Sequence, residues 1–121
     1  MVEYRLGEIE MRFADIIWQN EPLSSGELVK LAEKELSWNR STTYTILRRL
    51  GERGLFQNQN GCVTSCVTKE EFIGAQSEQF LEHTFSGSLP SFLTAFVKRK
   101  KISEDEIEEI QRILDEYKGD K

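Results

Sequence analysis

Ser41-Thr42-Thr43-Tyr44-Thr45-Ile46-Leu47-Arg48-Arg49-Leu50-Gly51-Glu52-Arg53-Gly54 runs directly into Leu55-Phe56-Gln57-Asn58-Gln59-Asn60-Gly61. At 100° per residue, Thr43, Ile46, Leu47 and Leu50 gather on one side of a helix over residues 41–53. Ser41, Tyr44, Thr45, Arg48 and Arg49 fall on the other side, with Thr42 at the margin. Gly54 is placed to end the helix in a left-handed conformation. Two short stretches of strand character follow, joined by Asn60-Gly61, the strongest local signal for a two-residue hairpin. A helix with one apolar and one basic-polar side, leading into a hairpin, is the end of a larger pattern that begins upstream.

Upstream, Ile9, Phe13, Ile16 and Ile17 recur at helical spacing, Trp18 extends their face, and Asn20-Glu21-Pro22 reads as a stop. This predicts a first helix over residues 6–20. Ser24 and Glu27 form a capping box that opens a second helix reaching Leu36. It buries Leu28, Leu31 and Ala32. Residues 37–40 form a short polar break before the third helix. Three helices followed by a hairpin are the plan of a winged helix-turn-helix.

Downstream the chain is helical again. Residues 69–85 are amphipathic through Phe72, Ile73, Phe80 and Leu81, and Gly87-Ser88 breaks the helix. Residues 89–100 carry Leu89, Phe92, Leu93, Phe96 and Val97. Ser103 and Glu106 cap a last helix bearing Ile107, Ile110, Ile113, Leu114 and Tyr117. Such short helices, rich in Phe and Ile, need a partner to be stable in water. A second copy of the chain is the economical one. The expected fold class is therefore mostly α with a small β wing. A winged helix-turn-helix over residues 1–70 precedes a helical dimerisation module over residues 71–121.

The chain has 121 residues, of which 38% are hydrophobic and 31% charged, as in a soluble globular protein. Its formal charge of −5 opposes nucleic-acid binding until the distribution is considered. Residues 40–53 hold four Arg against one Glu, a local net of +3. No apolar run approaches the roughly 20 residues that span a bilayer, so membrane insertion is not expected. Glu3, Glu8 and Glu10 stand where a secretory leader would be basic and then apolar, which predicts a cytoplasmic location.

The third helix suits a major groove. Arg matches guanine O6 and N7 or phosphate, while Ser and Thr hydrogen-bond base edges or touch thymine methyls. The N-terminal half of such a helix meets the bases, so Ser41, Thr42, Tyr44 and Thr45 are assigned mainly to base edges, with Arg40 beside them. Arg48 and Arg49 are suited to bases or to backbone.

Read in order, these segments resemble the penicillinase and methicillin-resistance repressor family. The resemblance is carried by Leu6-Gly7-Glu8-Ile9-Glu10 through Ile17-Trp18, and by Trp38-Asn39-Arg40-Ser41-Thr42-Thr43-Tyr44-Thr45-Ile46-Leu47-Arg48-Arg49-Leu50 with Arg53-Gly54. Gly61 and Val63 in the wing and residues 88–97 and 102–114 complete it. It implies a homodimeric transcriptional repressor of resistance genes that binds palindromic operator DNA, with half-site centres roughly 34–36 Å apart or a multiple of that. It implies dimerisation through Phe92, Leu93, Phe96, Val97, Ile107, Ile110, Ile113 and Leu114. It further implies inactivation through a membrane-bound β-lactam sensor, by cleavage in the dimerisation helix at the bond Ala95-Phe96. The chain departs from the family at Ala95, where the best-known site has Asn, and at Cys62, where members often carry a basic residue.

Other classes are weaker. Copper-responsive relatives need paired cysteines near the C-terminus, and none follows Cys66. With one His and two Cys, no four-ligand metal set is expected, nor any cofactor. Cys62 and Cys66, if both on one strand, would point to the same side roughly 13 Å apart, too far for a direct disulfide. A thiol or small-ligand response on the same fold, and a winged helix that binds protein instead of DNA, are the alternatives. No phosphate loop or nucleophile–base pair is present, and no enzyme activity is expected.

Overall fold

The structure, a computed structural model, describes residues 4–119. Among the described residues, six helices and a small three-stranded antiparallel sheet make the fold mostly α with a β wing, as expected from the sequence. The chain separates into two compact units, one reaching Gln79 and the other beginning at Phe80.

The first unit starts with α1 (Glu8–Asn20), two residues later than the apolar spacing suggested, because Gly7 is the N-cap and the Glu10 carboxylate accepts its N–H at 3.1 Å. β1 (Leu23–Ser24) follows, then α2 (Ser25–Leu36), α3 (Arg40–Glu52), β2 (Phe56–Gln59) and β3 (Cys62–Ser65). The box at the start of α2 is formed as read: Ser24 Oγ accepts from Glu27 N–H, and the Glu27 carboxylate accepts from Ser24 N–H, both at 3.0 Å. Those bonds to the ionised form hold the Glu27 carboxyl below its ordinary value, the backbone N–H contributing most.

The core is built from one face of each element. Phe13, Ala14, Ile16 and Ile17 of α1 meet Leu28 and Ala32 of α2, Leu47 and Leu50 of α3, and Leu23, Leu55, Phe56, Val63 and Phe72. Trp38, placed in the polar break by the sequence reading, packs on this core, its ring 5.0 Å from that of Phe13. Trp18 lies against Phe56 and Phe72 and donates its indole N–H to the Val67 carbonyl at 3.1 Å, which satisfies its one polar atom.

β3 is the middle strand, with β2 on one side and β1 on the other. Asn60 (φ 54°) and Gly61 (φ 84°) both occupy the left-handed region, as the two-residue hairpin requires. β1 was not anticipated. A two-residue strand has no period to read, and Leu23 finds its partner Val63 only through the tertiary fold. Glu21, read as a helix stop, also clamps the sheet: its carboxylate accepts the Ser65 N–H and hydroxyl, each at 2.8 Å.

α4 (Lys69–Phe85) starts in the first unit, capped by Thr68, and buries only Phe72; Ile73 and Phe80 are exposed. The second unit adds α5 (Leu89–Arg99), capped by Ser88, and α6 (Glu104–Gly119), where Ser103 and Glu106 form the expected box. Phe80, Phe85, Phe92 and Phe96 make a chain of ring contacts with centroids 5.6–6.1 Å apart. No residue of α5 or α6 is buried.

Candidate nucleic-acid interface

α3 is oriented by what it buries. Thr43, Leu47 and Leu50 are sealed inside, and the Thr43 hydroxyl is satisfied by the Asn39 carbonyl at 3.0 Å. Asn39 caps the helix, its side-chain oxygen accepting from Thr42 N–H at 2.8 Å, so the helix begins at Arg40, one residue before the expected start. With that side fixed inward, Ser41, Arg48 and Arg49 are exposed, as is Arg40; Thr42, Tyr44 and Thr45 are half-buried along the same outer surface. All seven residues assigned to DNA from the sequence thus lie on or beside one outward face of a single helix.

The face is not uniformly available. Tyr44 donates its hydroxyl to Ser25 Oγ at 3.1 Å, and the Arg40 guanidinium stands 5.6 Å from the centroid of the Tyr44 ring. Arg53, counted in the local charge of +3, is engaged at the start of α1: it hydrogen-bonds the Arg5 carbonyl and lies 3.9 Å from the Glu10 carboxylate. The arginines exposed on the outer surface are therefore Arg40, Arg48 and Arg49.

Between α3 and β2 runs an open groove of about 400 Å³, lined by Tyr44, Leu47, Arg48, Gly51, Glu52, Gln57 and Asn58. The wing that walls it is held locally. Asn58 accepts the Gly61 N–H at 3.0 Å, and Gln57 donates to the Thr64 hydroxyl at 3.1 Å. Gly61 also offers its carbonyl to Ser25 N–H at 2.9 Å. Ser25 therefore touches the wing through its backbone and α3 through its side chain. Sequence reading gave it no role, because neither partner is near it in the chain.

A family model described as "Penicillinase repressor" matches residues 6–116, nearly the whole chain. The chain belongs to the penicillinase repressor family. Within curated proteins it is 28% identical over 121 residues to the penicillinase repressor of Bacillus licheniformis, covering 97% of this chain and 94% of that protein. It is 26% identical over 115 residues to the methicillin resistance regulatory protein MecI of Staphylococcus aureus strain Mu50, covering 92% and 94% respectively. The MecI protein of Mammaliicoccus sciuri is 25% identical over 115 residues. Membership of this penicillinase repressor family makes the chain a transcriptional regulator of the repressor type.

The residues that the family resemblance linked to pairing and cleavage all lie on α5 and α6. Leu93, Phe96, Val97, Ile107, Ile113 and Leu114 are exposed, Leu114 by 51% and Val97 by 47%. Phe92 and Ile110 are half-buried, and Ala95 is exposed. Leu93, Val97, Ile102, Ile107, Ile110 and Leu114 line a mainly apolar groove of about 410 Å³ between the two helices. Cys62 and Cys66 are free, exposed thiols; β3 ends at Ser65, so Cys66 is not on the strand as supposed. Among the described residues, no group of three or more His, Cys, Asp or Glu is placed to hold a metal, and no helix is long and apolar enough to cross a membrane.

Proposed function

We propose that this repressor acts in the cytoplasm as a homodimer, each copy laying α3 into the major groove of one half of a palindromic operator. The observation that carries the reading is the outward face of α3. Ser41, Thr42, Tyr44 and Thr45 lie toward its N-terminal end, and Arg40, Arg48 and Arg49 give it positive charge in a chain of net −5. The hydroxyls of Ser41, Thr42 and Thr45 near the helix start and the arginines along it fit base edges and flanking phosphates.

The second copy seats on the apolar faces of α5 and α6, which one chain leaves open. Linking two modest half-site contacts raises the effective concentration of the second and so supplies operator affinity. The names of the relatives support resistance genes of the β-lactam type as targets. Cleavage at the bond Ala95-Phe96, triggered through a membrane sensor and protease, would separate the copies and release the operator.

Fluorescence anisotropy with palindromes taken from upstream of the gene, at several salt concentrations, tests the reading. Saturable binding that falls with salt and vanishes when the palindrome is scrambled is expected. A chain that stays monomeric at micromolar concentration and ignores every palindrome overturns it. Mass spectrometry after exposure to the activated sensor pathway tests cleavage, and an intact chain rejects it.

A further inference from the structure

We infer that Tyr44 is a positioning residue: it locks α3 to the wing through Ser25 and aims Arg40, and it does not itself read a base. The inference rests on the operator reading above and refines it. A phenolic hydroxyl has one proton to donate, and Tyr44 gives it to Ser25 Oγ at 3.1 Å. Ser25 N–H is in turn held by the Gly61 carbonyl at 2.9 Å, in the turn of the wing. Neighbouring Ser24 pairs through β1 with Cys62 and is fixed by its box with Glu27. The start of α2 is thus a rigid post to which both the helix and the wing are tied.

The ring has its own task. Arg40 and Tyr44 are one helical turn apart, and the guanidinium over the ring face restricts an otherwise mobile side chain at the N-terminal end of α3. An arginine held in place loses less freedom on binding a phosphate or a guanine than one that samples many rotamers. Tyr44 also lines the groove between α3 and β2, so a shift of this residue changes the spacing of both groove walls.

The two halves of the ring separate experimentally. Tyr44→Phe removes the tie to Ser25 and keeps the face under Arg40; Tyr44→Ala removes both. Anisotropy titrations are run on wild type, Tyr44→Phe, Ser25→Ala and the double variant, against the operator and a panel of single base-pair changes. Each single variant is expected to lose about three- to tenfold in affinity, the worth of one net hydrogen bond, and the double variant no more than either. The order of preference across the panel stays unchanged. Losses that multiply, or discrimination lost at one base pair in Tyr44→Phe, overturn the inference.

Tyr44→Ala is expected to reproduce the reduced salt dependence of Arg40→Ala, and combining the two should reduce it no further. Independent effects on the salt slope reject the aiming role. Thermal unfolding of the Ser25 and Tyr44 variants reads the tie without DNA. Additive effects there sink the tie, whereas indifference of the wild-type chain to DNA sinks the operator reading.

Discussion

Arginines that look equivalent in the chain differ in what surrounds them. Arg48 is exposed beside the groove, while Arg53 bonds Arg5 and faces Glu10. Arg48→Ala is therefore expected to weaken operator binding by about 1–3 kcal/mol if it reaches a base, with little change in folding. Arg53→Ala is expected to destabilise the fold by about 1 kcal/mol and leave the salt slope of DNA binding intact. Titrations at several salt concentrations alongside urea denaturation separate the two. Gly51 is a further case. Late in a helix it costs roughly 1 kcal/mol relative to Ala, and a Cβ there would meet the Phe56 carbonyl at 3.4 Å, an ordinary contact. The structure thus gives no steric need for glycine, and Gly51→Ala should raise unfolding free energy by about 0.5–1 kcal/mol. A fall in the urea midpoint would show that the methyl does not fit.

Helix starts are where this chain spends its short polar residues. Ser24 with Glu27 and Thr68 with Glu71 each exchange side-chain and backbone bonds, and both carboxyls are held below their ordinary value by them. A lowered folded value means that stabilisation is complete above the unfolded carboxylate range and is lost as pH falls through the folded value. Stability measured from neutral to acid pH should decline, and Glu27→Gln should flatten part of that decline. An unchanged profile would show that the box does not titrate with folding. The wing makes a different demand. Gly61 sits at φ 84° beside Ser25, so Gly61→Val should cost at least about 1 kcal/mol and weaken operator binding by moving the wing.

At the scale of the molecule, the apolar faces of α5 and α6 call for a cover. A helix pair with no buried residue and with Val97, Ile107, Ile113 and Leu114 exposed is not a finished core. Leu114→Asp is expected to shift sedimentation from dimer to monomer at micromolar concentration and to abolish cooperative operator binding, with the first unit still folded by circular dichroism. A dimer that survives both this change and Val97→Asp would place the interface elsewhere. The helices themselves, the two caps at Ser24 and Ser103 and the Asn60-Gly61 turn were all legible in the sequence. The outward face of α3 was legible too, because periodicity fixes the inner side and the outer side follows. Which members of that face were already engaged was not.

Local order came from the sequence alone, since caps, turns and helical faces arise between residues one to four positions apart and leave a pattern in the chain. The fold decided the rest: the strand pairing of Leu23 with Val63, the clamp of Glu21 on Ser65, the engagement of Arg53, and the meeting of Tyr44, Ser25 and Gly61. These are contacts between distant segments, where hydrogen-bond direction and packing choose the partner, and no spacing rule in one sequence encodes such a choice.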